Sequence, residues 1–72
     1  MIIISRRPEL DSDWYVDFGV SIRQYPTADI AYAVGLAIQR TSHERLVYRT
    51  PEYEYIRIES ESHLALLILM HS

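Results

Sequence analysis

Between Trp14 and Arg23 the chain alternates without a break. Trp14, Val16, Phe18, Val20 and Ile22 are apolar, and Tyr15, Asp17, Gly19, Ser21 and Arg23 stand between them. A period of two puts all the apolar members on one side of a strand, so the segment predicts a β-strand with one dry face. Gly19 within it marks a bulge or a close backbone approach. At Tyr25-Pro26-Thr27 the pattern breaks, and apolar residues then recur near the helical period. Thr27 is the expected N-cap and Asp29 favours the positive end of the helix dipole. The helix is expected over 27–41, with Ile30, Val34, Ala37 and Ile38 as its buried stripe and Thr41-Ser42-His43 as its stop. A strand followed by one amphipathic helix demands that the two pack together, which restricts the chain to a sheet-and-helix layer.

The other segments fill out the sheet. Met1 to Ser5 is a short β-branched run that fits a buried strand, and Pro8 to Asp13 reads as a polar connection. Leu46 to Arg49 predicts a strand, with a turn at Thr50-Pro51-Glu52. From Tyr53 to Glu59 alternation returns, placing Tyr53, Tyr55, Arg57 and Glu59 on one side. Leu64 to Met70 is ambiguous. Its leucines favour a helix capped by Ser60 or Ser62, yet seven apolar residues without a period also fit a strand buried on both faces. A strand is expected, because a two-turn helix apolar all round would leave much of itself in water. The predicted fold is therefore α+β: one domain over 1–72, with a small antiparallel or mixed sheet of four to five strands. A single helix packs on one face, in the order β-β-α-β-β with a possible last strand. The opposite face then lacks a second layer and is expected to meet something, such as another copy of the chain.

Counting excludes several chemistries. There is no cysteine, so no disulfide, thiolate metal site or cysteine nucleophile. All seven cations are arginine, which removes Schiff-base and phosphate-loop lysines, and two glycines cannot build a three-glycine nucleotide loop. His63 and His71 would lie roughly 26 Å apart on a strand or about 12 Å apart on a helix, too far to share one metal ion. His43-Glu44 lacks the second histidine of a metalloprotease helix, since Val47 stands there. Asp11-Ser12-Asp13 opens like a calcium loop but continues into Tyr15 and Val16. No metal or cofactor is expected. Ser42-His43-Glu44 has the side chains of a hydrolytic triad, but triads assemble from distant segments of larger scaffolds. Glu52 with Glu54 and Glu59 with Glu61 read as solvated strand faces rather than paired catalytic acids. The expectation is that the chain is not an enzyme.

Recognition remains. A net charge of −3 and a pI near 5.4 disfavour non-specific binding to nucleic acid or an anionic membrane. Arg45, Tyr48, Arg49, Tyr53, Tyr55 and Arg57 interleave as in single-strand binders, but from 40 to 61 four arginines face five glutamates. Tyrosine and arginine equally suit protein interfaces. Tyr53, Tyr55 and Arg57 on the sheet, and Tyr32 and Leu36 on the side of the helix away from its stripe, are the candidate partner-binding residues. A domain this small buries only about 60% of its unfolded surface, which favours self-association. The apolar start precedes the arginines, the reverse of a secretory signal, and no apolar run is long enough to span a bilayer. A cytoplasmic location is expected. The leading expectation is a non-enzymatic, dimeric interaction module that occludes or bridges a larger protein. Stoichiometric inhibitors of host systems carried by phages and mobile elements, anti-CRISPR proteins among them, work in this way. The alternatives are a nucleic-acid module using the Arg/Tyr face and a small subunit completing another chain's sheet.

Overall fold

The structure, a computed structural model, describes residues 1–71. Seven elements follow one another: β1 (Ile2–Arg6), β2 (Trp14–Asp17), β3 (Ile22–Tyr25), α1 (Ala28–Ser42), β4 (Leu46–Arg49), β5 (Tyr55–Arg57) and α2 (Glu61–Met70). The five strands form one mixed sheet in the order β3-β2-β1-β4-β5. β1 runs parallel to β4, and every other neighbouring pair is antiparallel. One sheet with α1 laid across it is the α+β layer that the period change demanded.

The alternating segment is a hairpin rather than one strand. Phe18 to Ser21 form its turn, where Gly19 takes φ +91°, the Phe18 N–H donates to the Ser21 carbonyl at 3.1 Å, and Val20 is 94% exposed. Alternation cannot reveal such a turn, because its apolar beat runs straight through it. The consequence is a change of face. Ladder partners share a face, so the pairing of Asp17 with Ile22 puts Ile22 opposite Trp14 and Val16.

Thr27 caps α1 as expected, accepting from the Ile30 N–H at 3.3 Å, and His43 closes the helix in the left-handed conformation. The helix is rotated from its expected stripe. Ala31, Tyr32 and Gly35 are its buried residues, whereas Ile30 is 43% exposed and Ala37 is exposed. Gly35 explains the rotation. A Cβ there would stand 2.8 Å from Leu46 Cδ1 and 3.3 Å from Ile4 Cδ1, so only the side of α1 lacking a side chain approaches the sheet this closely.

The second correction concerns Leu64 to Met70, which is helical within α2. Ser60 caps it by accepting from the His63 N–H at 3.1 Å. Leu64 and Leu67 then join Ile2, Ile4, Val16, Leu46, Tyr48 and Ile58 in one core. The exposure that argued against a helix is real: Leu66 is 54%, Leu69 73% and Met70 66% exposed. Local leucine propensity and a good cap prevail over that cost. The expected strand from Tyr53 to Glu59 shrinks to β5. Tyr53 belongs to the preceding turn, at φ +63°, where its N–H donates to the Thr50 carbonyl at 2.9 Å.

Both helices cover the face carrying Ile4, Val16 and Tyr48. Among the described residues no element covers the other face.

Candidate functional site

The uncovered face is built by register. Pairing aligns Ile22, Asp17, Ile3, Val47 and Arg57 in one row across β3, β2, β1, β4 and β5. Gln24, Tyr15 and Ser5 continue the face on one side of the sheet, and Arg49 and Tyr55 on the other. The middle is apolar or small and little exposed: Val47 is 5% and Ser5 1% exposed.

Charge divides along the row. On the β2–β3 side Asp11 Oδ2 accepts from the Tyr15 hydroxyl at 2.7 Å and from Gln24 Nε2 at 2.8 Å, and Asp13 Oδ2 accepts from the same amide at 2.7 Å. The Tyr15 hydrogen bond is the main cause that holds the Asp11 carboxyl below its ordinary value, and the same bond raises Tyr15. Asp17 lies on this side too, accepting from the Gly19 N–H at 3.0 Å. On the β4–β5 side stand Arg49 and Arg57, with the Arg49 guanidinium 4.8 Å from the Tyr53 ring centroid. Arg7 lies 4.7 Å over the Tyr15 ring. Cation–π contacts of this kind hold a long side chain flat and lower the entropy cost of using its charge.

The anticipated partner-binding residues do not form one site. Tyr55, 51% exposed, and Arg57 lie on the uncovered face, and Tyr53, 64% exposed, stands at its edge in the turn. Tyr32 is 9% exposed and belongs to the core, while Leu36 is half-buried against it on the opposite side of the sheet. Tyr32 instead lines a groove between α1 and α2, with Ala28, Leu64 and Ala65. The exposed Leu66, Leu69 and Met70 of α2 form a further apolar surface. It escaped the sequence reading because a strand buried on both faces has no outside.

The remaining sequence candidates serve local structure. Ser42 Oγ donates to the Ile38 carbonyl at 2.8 Å, and His63 Nδ1 accepts from the Glu59 N–H at 3.2 Å. His71 Nδ1 pairs with Glu52 Oε1 at 3.0 Å. Among the described residues no three histidine or acidic side chains converge as a metal site, and no helix is long and apolar enough to cross a membrane. Comparison with protein-family models, with curated proteins and with solved structures finds no match to this chain.

Proposed function

We propose that this chain is a non-enzymatic protein-interaction module that pairs with a second copy of itself through the uncovered sheet face. The observation that carries the reading is the division of charge on that face about an apolar centre. A two-fold axis parallel to β1 lays the β4–β5 side of one copy on the β2–β3 side of the other. Arg57 of one copy then meets Asp17 of the other, since both lie in the row of Ile3, which packs near the middle. Self-complementarity of this kind is what an isologous dimer requires, and packed sheets supply the geometry. The dimer would present the outer leucines of α2 twice, a bivalent surface suited to occluding or bridging a larger protein. An inhibitor of a host system, of the type mobile elements carry, is a role such a surface would fill. The nucleic-acid alternative is disfavoured by Asp11, Asp13 and Asp17, which share the face with the arginines and repel phosphate.

The test is a charge swap read by analytical ultracentrifugation. Asp17→Arg or Arg57→Asp alone is expected to turn a dimer into a monomer, and the two together are expected to restore the dimer. A wild-type monomer at all concentrations, or a double variant as weak as the singles, would overturn the reading.

A further inference from the structure

The first turns of α1 and α2 border one groove on the helical side of the sheet. Asp29 comes from α1 and Glu61 from α2, and the groove they flank measures about 210 Å³. Tyr32, Leu64 and Ile68 form its floor. Tyr32 and Leu64 belong to the core and Ile68 packs against it, so the groove is built on rigid elements rather than on loops. Ala65, exposed one turn beyond Glu61, is its outer wall. Beyond that wall the surface stays apolar, since Leu66 is 54% and Leu69 73% exposed.

The groove carries charge of one sign. Asp29 and Glu61 are both exposed, and no arginine or histidine lines the groove with them. Among the described residues neither carboxylate has an ion-pair or hydrogen-bond partner. An apolar floor beside two unpaired carboxylates complements a ligand that is apolar in the middle and positive at one end. The volume suits a protruding side chain rather than a free small molecule, whose sites begin at roughly 300 Å³. The apolar surface continues along α2, a helix of ten residues that spans about 15 Å. Over that length nearly three turns of a second helix can set apolar residues on one line.

We propose that this groove docks an amphipathic helix of a partner protein, with arginine or lysine beside its apolar stripe. One large apolar side chain fills the groove over Tyr32, Leu64 and Ile68, as central anchors do, and its neighbours one turn away cover Ala65 and Leu66. The basic residues meet Asp29 and Glu61. A helix laid antiparallel to α2 brings its last turn to those carboxylates, where positive side chains also suit the negative end of its own dipole. The proposal rests on the reading of the chain as an interaction module, but not on pairing through the sheet, which uses the opposite face.

The probe is a synthetic amphipathic peptide of roughly 14 residues, with leucines at helical spacing and a pair of arginines in its last turn. A second peptide carries glutamates in place of the arginines. In an NMR titration of the isotope-labelled full chain, the arginine peptide is expected to shift the Tyr32, Glu61 and Ala65 amides saturably, with a Kd of about 100 μM or tighter. The glutamate peptide is expected to bind about tenfold more weakly. Ala65→Lys, at an exposed helical position where lysine costs little, puts a cation on the wall and is expected to weaken the arginine peptide about tenfold. Asp29→Asn and Glu61→Gln are expected to weaken it roughly threefold each. Asp17→Arg, which alters the opposite face, is expected to leave this binding unchanged, so the docking and the sheet pairing fail separately. No saturable shift with the arginine peptide would overturn the proposal. So would equal binding of the glutamate peptide, or unchanged affinity in Ala65→Lys. Movement of the same amides on dilution of Asp17→Arg alone would give the groove to a second copy and overturn it too. The two peptides read on the unaltered chain keep the test decisive if a variant fails to fold.

Discussion

Asp11 shows how much a single exposed side chain can organise. Its carboxylate takes the Tyr15 hydroxyl and the Gln24 amide, and its Oδ1 accepts from the Asp13 N–H at 3.0 Å. These bonds favour the ionised form and hold the carboxyl below its ordinary value. A depressed carboxyl stabilises the fold above its unfolded-state value of about 3.9, and that stability is lost as pH falls through the lower folded value. The group is fully exposed, so its contribution is small and is best read at the residue. Tyr15→Phe is expected to move the Asp11 midpoint upward toward the ordinary value in a carbon-detected NMR titration, and an unmoved midpoint would refute the assignment. In the sequence, Asp11-Ser12-Asp13 offered a calcium loop as the competing interpretation. What decides between them is Gln24, brought across the hairpin to lie against both carboxylates, a neighbour that no local pattern reveals.

At the scale of elements, α1 was legible because its signals are local. The Thr27 cap, the change of period and the stop near His43 all lie within the segment they define. Its rotation was not legible, since that depends on Gly35 meeting Leu46 and Ile4 from other strands. α2 presents the opposite problem. With apolar residues on every side its sequence carries no periodic signal, and only its packing against core residues of other elements decides which leucines face inward. That asymmetry can be measured. Leu67→Ala, in the core at 6% exposure, is expected to cost about 2–5 kcal/mol in urea unfolding. Leu66→Gln, one residue earlier and 54% exposed, is expected to change monomer stability by no more than about 0.5 kcal/mol. Equal effects at the two positions would contradict the orientation of α2.

At the scale of the whole molecule, the two helices lie on one side of the sheet and no element covers the other, with Asp11, Asp13 and Asp17 toward one edge beside Arg7, and Arg49 and Arg57 toward the other. If opposite charges join two copies, association must weaken as salt screens them, because the Debye length falls from about 10 Å at 0.1 M to about 3 Å at 1 M. The dimer dissociation constant is therefore expected to rise steadily with sodium chloride when followed by sedimentation. A constant that falls with salt would indicate a contact driven by apolar surface alone, such as the outer side of α2. The amino-acid sequence by itself determined the layer architecture, the span of α1, the position of β4 and the exclusion of lysine and cysteine chemistry. Each of these follows from period, capping or composition, which act over a few neighbouring residues. Tertiary structure alone decided that the alternating segment turns back on itself, that Tyr32 is buried and that Leu64 to Met70 is a helix. It also brought Asp29, Tyr32, Glu61 and Ala65 around one groove. Those outcomes depend on which strands become neighbours, and strand pairing joins residues whose separation along the chain leaves no trace in local spacing.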